Sequence, residues 1–195
     1  MNAANEIAIY LIQTVLTLLL FAALLRFLLQ AVRADFYNPI CQFLVKVTNP
    51  MILPLRKIFP SVAGLDTASL VLLILVQVTG MAAMLMLLGA GWPNPLLILL
   101  WALVAIAALL VQFYFFALLG MIIVSWVAPG SQHPLVSLLH QITEPVMAPV
   151  RRLIPPMGGL DFSPIAVFIL INILQIVLRN VAYSVGLHPA LAIGL

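Results

Sequence analysis

Four long runs of apolar residues constrain the fold of this chain more than any other feature. They cover about residues 6–30, 67–90, 98–127 and 163–187. Crossing the hydrocarbon core of a bilayer takes about 20 largely apolar residues in an α-helix. Because 65% of the 195 residues are hydrophobic and only 7% are charged, the chain has too few polar groups to cover a water-soluble globule. The sequence therefore predicts an all-α, polytopic membrane protein with four transmembrane helices, the first being a retained span and not a signal peptide.

The second constraint is an internal repeat with a constant shift of 95 residues. The shift places the first span on the third and the second on the fourth. Each repeat is then a helix-loop-helix unit, residues 1–95 with loop 31–66 and residues 96–195 with loop 128–162. Two parallel repeats are related by an axis along the membrane normal, which predicts a dimer-like arrangement of the four spans.

The repeat is clearest in the loops, where residues 38–66 and 133–161 align without a gap and are identical at ten of 29 positions. Chance does not explain that agreement. The identical pairs are Pro39/Pro134, Leu44/Leu139, Thr48/Thr143, Pro50/Pro145, Pro54/Pro149, Arg56/Arg151, Pro60/Pro155, Gly64/Gly159, Leu65/Leu160 and Asp66/Asp161.

Basic residues are concentrated in the same loops. Six of the eight lie there, namely Arg33, Lys46, Arg56, Lys57, Arg151 and Arg152. By the positive-inside rule, both loops face the cytoplasm and both termini face outward, as in a multi-pass protein of the bacterial inner membrane. Arg26, near the cytoplasmic end of the first span, is expected to snorkel to the headgroups.

Each loop is predicted to open with an amphipathic helix in the headgroup plane, because Asn38, Gln42 and Lys46 recur every four residues in an otherwise apolar stretch. A short kinked helix is expected to follow. A threonine caps it, one proline lies in its first turn, a second bends it and a third ends it. These are Thr48, Pro50, Pro54 and Pro60 in the first repeat and Thr143, Pro145, Pro149 and Pro155 in the second.

A turn and a cap then lead into the next span. Gly64 and Gly159 are expected to take a positive φ, and Asp66 and Asp161 to cap the following helix. Alternatively, each aspartate pairs with the arginine of its own or the other repeat. Capping explains the residue type without a further assumption, so the sequence favours it.

The duplicated block P-x-x-x-P-x-R-[KR]-x-[IF]-P-x-x-x-G-L-D, flanked by apolar helices, resembles the YggT family, also called YlmG in Gram-positive bacteria and plastids. The resemblance covers essentially the whole chain. Two positions beside the block differ between the repeats, Pro156 replacing Ser61 and Ser163-Pro164 replacing Ala68-Ser69. The resemblance implies a small membrane protein with no established enzymatic activity. It also implies a link, varying between lineages, to osmotic stress and potassium homeostasis, to cell division or nucleoid placement, or to assembly of a membrane cytochrome.

Polar residues also occur within the spans. Thr17 with Gln112, and Gln77 with Asn172, occupy matched positions and are expected to face the bundle interior and bond to neighbouring helices. The alternative is that they line a permeation path. Arg179, near the outer end of the last span, either pairs with Glu6 or snorkels to the outer headgroups.

The sequence contains no Ser-His-Asp grouping, glycine-rich phosphate loop or nucleic-acid motif, and predicts no enzyme and no cofactor. His133 and His140, seven residues apart, are not spaced for simple metal ligation. Two functions remain. The first is a non-enzymatic scaffold or assembly factor in the lipid bilayer, whose basic loops bind anionic headgroups, a membrane-protein partner or another copy of the chain. The second is an ion channel or channel modulator, which the sequence favours less because ion paths usually show more intramembrane charge or broken spans.

Overall fold

In the computed structural model, which describes residues 3–89, 91–154, 161–188 and 191–192, the chain forms six α-helices. They are α1 Ala3–Ala31, α2 Pro39–Ile58, α3 Thr67–Leu87, α4 Pro95–Val127, α5 Pro134–Leu153 and α6 Ser163–Ser184. Helices α1, α3, α4 and α6 are long and apolar enough to cross a membrane. Within the described residues the only β-type pairing is one isolated bridge between Val62 and Leu65. The all-α, four-span prediction is confirmed.

Two spans end earlier than the apolar runs suggested. Helix α3 ends at Leu87 and α6 at Ser184, because Gly89 (φ 63°) and Gly186 (φ 71°) take a left-handed conformation that stops a helix. Helix α4 begins at Pro95, where the Asn94 side chain accepts a hydrogen bond from the Leu96 amide (2.9 Å). Its 33 residues exceed the length that a bilayer requires.

The spans are packed in the order α1, α3, α4, α6. In the most apolar parts of α3 and α4, 44% and 39% of the residues are buried, against 17% and 11% in α1 and α6. Helices α3 and α4 therefore form the centre, and α1 and α6 lie at the flanks. The dimer-like arrangement expected from the repeat is wrong, because a two-fold axis would pair α6 with α1 as it pairs α3 with α4. No α1–α6 interface of comparable extent exists among the described residues.

The loop helices lie against the spans of their own repeat, α2 on α1 and α3, and α5 on α4 and α6. One face of α2 is buried in this contact and carries Cys41, Leu44, Thr48 and Ile52. A second face exposes apolar side chains, namely Phe43, Val47, Met51 and Ile58, and a third exposes the polar Gln42, Lys46 and Lys57. A helix with an exposed apolar face beside a polar one suits the headgroup region of a bilayer, as predicted.

Each loop contains one continuous helix where two were expected. Thr48 and Thr143 lie in the middle of α2 and α5, and their hydroxyls donate to the carbonyls of Leu44 and Leu139 (2.7 Å each). The prediction that these threonines cap a short helix is wrong. Packing of one helix face against the spans outweighs the amide hydrogens missing at the internal prolines, which are Pro50, Pro54, Pro145 and Pro149.

The true caps are found at Asn38 and His133. The Asn38 side chain accepts from the Ile40 amide (2.9 Å), and His133 Nδ1 accepts from the Leu135 amide (3.2 Å). His133 thus has a structural role at the start of α5. Asn38 also donates through Nδ2 to the Pro134 carbonyl (2.9 Å), and the Gln141 side chain accepts from the Asp35 amide (3.0 Å). These two bonds join the loops of the two repeats into one surface.

Candidate functional site

A cavity at the loop end of the bundle lies in the first repeat. It has a volume of about 540 Å³ and is bounded by the end of α1, by α2 and by the turn before α3. Three arginines line it, namely Arg26, Arg33 and Arg56. We call it the basic cleft.

Arg26 comes from α1 and turns inward. Its Nη1 donates to the Thr48 hydroxyl (2.6 Å), the Asn49 side-chain oxygen (2.8 Å) and the Val45 carbonyl (3.2 Å), all on α2. Its side chain is only 7% exposed. The expectation that Arg26 snorkels to the headgroups is wrong, because α2 folds back over α1 and supplies three acceptors.

Asp66 is the buried carboxylate beneath the cleft. It is fully buried, and its Oδ2 accepts from Arg56 Nη2 (2.9 Å) and from the Ser69 hydroxyl (2.6 Å), with Arg26 Nε 3.8 Å away. Although Asp66 precedes α3, its side chain makes no capping hydrogen bond. Capping is therefore the wrong explanation for Asp66, which instead holds the two arginines of its own repeat.

Arg33 and Gly64 form the mouth of the cleft. Arg33 is exposed and has a left-handed backbone (φ 53°) just past α1, a position where glycine is usual. Gly64 has the positive φ predicted for it (85°), and a β-carbon there would lie 3.9 Å from Arg33 Nη2. The Arg33 guanidinium thus packs close to the turn, at the entrance to the cleft.

Positive charge exceeds negative charge in this region. Three guanidinium groups line the cleft and the one carboxylate among their partners is Asp66. The buried Nε of Arg56 and Oδ1 of Asp66 have no hydrogen-bond partner among the described residues. Arginine forks match phosphate and carboxylate oxygens, so the cleft is chemically suited to an anion.

The second repeat does not reproduce this charge. Arg151, the counterpart of Arg56, pairs with Glu144 (3.0 Å) and Asp161 (3.3 Å), while Met121 and Ala128 replace Arg26 and Arg33. Loop 128–162 holds two basic and two acidic residues, against four and two in loop 31–66. Lys57 and Arg152 are exposed beside their arginine neighbours.

Asp161 differs from Asp66 in its surroundings. Its Oδ1 accepts from the Ser163 amide (2.9 Å) at the start of α6, so it does make the bond expected of a cap. Burial alone would raise the pKa of Asp161, but the hydrogen bonds from Ser163 and the charge of Arg151 lower it below its ordinary value. Pro155 and Gly159, predicted to end and turn this loop, lie outside the described residues, whereas Pro60 is described and exposed.

The matched polar residues of the spans do not meet along one path. Gln77 is fully buried in α3 and neither polar atom of its amide has a partner among the described residues. Gln112 accepts from Gln175 (2.9 Å) between α4 and α6, Thr17 is half-buried, and Asn172 is exposed. The interior position predicted for this set therefore holds for Gln77 and is wrong for Asn172.

Arg179 and Glu6 are not paired within the chain. Both are exposed, and neither has an ion-pair or hydrogen-bond partner in the described part of the chain. They lie on opposite flanks, Glu6 on α1 and Arg179 on α6 beside a cavity of about 390 Å³. Pairing of the two side chains within one molecule is therefore wrong.

Sequence reasoning did not identify Arg26, Asn49 or Ser69 as parts of one site. The available signal was Arg26 itself, since a charge inside an apolar run usually has a partner. Its partners could not be read from the sequence because they come from a helix that folds back onto the span.

Comparison with known proteins agrees with the repeat. The CCB3/YggT family model matches twice, at residues 5–87 and 100–182, so the two matches are offset by the same 95 residues at both ends. A Pseudomonas aeruginosa protein named as uncharacterized is 46% identical over 195 residues, 99% of each chain. The Escherichia coli K12 protein named "Uncharacterized protein YggT" is 37% identical over 91% of this chain and 92% of its own. A Vibrio alginolyticus relative, also uncharacterized, is 40% identical over 82% and 86%. No solved structure matches the chain.

Proposed function

This chain belongs to the CCB3/YggT family, and from its basic cleft we propose that it is a non-enzymatic membrane scaffold that binds the phosphate of an anionic lipid headgroup at the cytoplasmic surface. The observation that carries the proposal is the cleft itself, where three arginines line about 540 Å³ and only one buried carboxylate, Asp66, pairs with two of them.

The position of the cleft supports a lipid ligand. It opens beside α2, whose exposed apolar face suits a position at headgroup depth. A phosphodiester accepts hydrogen bonds from guanidinium groups and compensates their surplus charge. A basic side chain near an anionic membrane surface contributes about 1 kcal/mol to binding. We orient the loops to the cytoplasm on the charge bias of the sequence.

The joined loops support the scaffold role. The bonds from Asn38 to Pro134 and from Asp35 to Gln141 hold α2 and α5 side by side. A headgroup bound in the first repeat would then fix the position of a surface that includes the second. Ion conduction has less support, because the amides proposed as its lining are separated between the interior, the α4–α6 contact and the exposed face of α6.

The test measures lipid binding by full-length protein in nanodiscs of phosphatidylcholine with increasing phosphatidylglycerol or cardiolipin. Arg33→Gln removes one charge at the mouth of the cleft. Like Arg33, glutamine is a non-glycine residue, so the left-handed backbone position is not relaxed by the change. The substitution is expected to weaken retention of the anionic lipid about tenfold or more, because a hydrogen bond between charged groups contributes about 1.5–3 kcal/mol, against about 1 kcal/mol for the general attraction of a basic side chain to an anionic surface. Lys46→Gln, on the exposed face of α2, and Arg152→Gln, in the second repeat, are matched controls with smaller expected effects.

Equal loss of lipid retention in all three variants would show that retention depends on general surface charge and not on the cleft. That result would contradict the proposal. Loss of a co-purifying membrane protein by Arg33→Gln, with lipid retention unchanged, would assign the cleft to a protein partner instead. Ion flux through liposomes containing the purified wild-type protein would contradict the scaffold role.

A further inference from the structure

The contact between the two repeats is one-sided. Helix α3 of the first repeat packs on α4 of the second, while their equivalents by the 95-residue shift, α6 and α1, have no contact of comparable extent among the described residues. Such a contact is heterologous: it uses two different surfaces and leaves one of each unoccupied. The unoccupied surfaces are the outer faces of α1 and α6.

The exposed face of α1 is the counterpart of a buried face of α4. Along α4, the buried side chains include Trp101, Ala105, Ile106 and Leu109. At the equivalent positions of α1, 95 residues earlier, the exposed side chains are Glu6, Tyr10, Leu11 and Thr14. We call these four residues the α1 flank.

The exposed face of α6 is the counterpart of a buried face of α3. Along α3, the buried side chains are Gln77, Met81, Met84 and Leu85. At the equivalent positions of α6, the exposed side chains are Asn172, Ile176, Arg179 and Asn180. We call these four residues the α6 flank. Three of the four are polar, in a helix long and apolar enough to span a bilayer.

Lipid is a poor neighbour for the α6 flank. Asn172 and Asn180 each donate only to a carbonyl of their own helix, Phe168 and Ile176 respectively (2.8 Å each). Arg179 has no partner in the described part of the chain. Polar and charged side chains at membrane depth usually face protein, because hydrocarbon offers no hydrogen bonds.

The two flanks are complementary. The α1 flank carries the acidic Glu6 and the hydroxyls of Tyr10 and Thr14, and the α6 flank carries the basic Arg179 and two amides. Glu6 is three residues from the start of α1, and Arg179 is five residues from the end of α6. At about 1.5 Å per residue, both lie within about 8 Å of the same end of the bundle.

We propose that a second copy of this chain binds head to tail, its α1 flank against the α6 flank of the first, and that Glu6 of one molecule pairs with Arg179 of the next. The contact is the counterpart of the α3–α4 contact under the 95-residue shift, by which Glu6 corresponds to Trp101 and Arg179 to Met84. A heterologous contact of this kind closes into a ring when the rotation per repeat permits it.

Cysteine cross-linking in native membranes tests the proposal with the full chain. In a Cys41→Ser background, chains with Leu11→Cys and one epitope tag are co-expressed with chains carrying Ile176→Cys and a second tag. Each position is eight residues from the relevant helix end, and each native side chain is 56% exposed. A mild oxidant is expected to join 11 to 176 between differently tagged chains, with no 11–11 or 176–176 product.

Val177→Cys is the matched control for Ile176→Cys. Val177 is 51% exposed at nearly the same depth but points about 100° away around the helix. It is expected to give about a tenth of the mixed product or less, because a disulfide forms only within a narrow range of distances between the two residues. Products of like with like, or equal yields at 176 and 177, would overturn the head-to-tail contact.

Charge reversal provides a second measurement, by counting labelled subunits in liposomes. Glu6→Arg and Arg179→Glu are each expected to weaken self-association about tenfold or more, because like charges then face each other in the contact. The double variant Glu6→Arg/Arg179→Glu is expected to recover it. A wild type that stays monomeric, or a double variant as weak as the single ones, would refute the pairing.

Discussion

The Arg26 guanidinium and the Thr48 hydroxyl are 2.6 Å apart, and this bond ties the first span to the helix of its own loop. The second repeat has the equivalent threonine, Thr143, but Met121 in place of the arginine. The same pair of helices therefore exists with an arginine in the first repeat and with a methionine in the second. The effect of the arginine can be measured by exchanging it for methionine.

Replacing Arg26 with the methionine of the second repeat is expected to destabilise the protein. Arg26→Met removes the donor to Thr48, Asn49 and Val45 and one of two cations near the buried Asp66. Loss of one partner from a buried, bonded charge costs about 2–4 kcal/mol. The measurement is the free energy of unfolding in bicelles. Lys46→Met, on the exposed face of α2, is the control and should change it by less than about 0.5 kcal/mol. Equal effects of the two variants would show that the Arg26 bonds do not stabilise the fold.

Gln77 is expected to be a site where an apolar residue stabilises the chain. Its amide is fully buried and has no partner among the described residues, and an unsatisfied buried amide costs about 1–3 kcal/mol. Gln77→Leu should therefore raise the unfolding free energy by about 1 kcal/mol or more. The control is Gln112→Leu, which removes an amide bonded to Gln175 and should bring no gain. A destabilised Gln77→Leu variant would mean that the amide has a partner in the membrane.

Acid is expected to weaken the second loop through Asp161. Its pKa is lowered by the Ser163 hydrogen bonds and by Arg151, against the opposing effect of burial. A carboxylate with a lowered pKa stabilises the folded state above its ordinary pKa of about 3.9, and this contribution disappears as the pH falls through the lowered value. The difference in unfolding free energy between wild type and Asp161→Asn should be constant at higher pH and shrink below about pH 4.

Asp161→Asn keeps the oxygen that accepts from the Ser163 amide, so it isolates the charge. Because Asp161 and Arg151 are both well exposed (37% and 39%), the difference should also fall when salt screens the ion pair. A difference that is independent of both pH and salt would contradict the role of the Arg151–Asp161 pair.

The parts of the fold that depend on local pattern could be predicted from the sequence. The four spans follow from apolar run length, the repeat from a constant shift, and the positive φ of Gly64 from its place in the motif. The Thr48 cap failed because local capping preference was weaker than the packing of α2 along the spans. No local signal showed that α2 would continue through two prolines.

The parts that depend on which surfaces meet could not be predicted. Gln77 and Asn172 occupy equivalent positions, yet one is buried and the other exposed, because only one of them has a neighbouring repeat beside it. The 95-residue shift implies equivalent surroundings for matched residues of the two repeats. The α3–α4 contact makes those surroundings different. The two repeats also differ in charge, because the first has a basic cleft and in the second Arg151 is neutralised by Glu144 and Asp161.

The one-sided contact between α3 and α4 also bears on why two repeats are fused in one chain. A lone repeat would have to find a neighbour for each of its two flanks by diffusion in the bilayer, whereas fusion makes one of these encounters permanent. Once the two repeats are fused, each can acquire substitutions independently of the other, because every molecule contains one copy of each repeat. An arginine pocket can then arise in one half while the other keeps methionine at the same position.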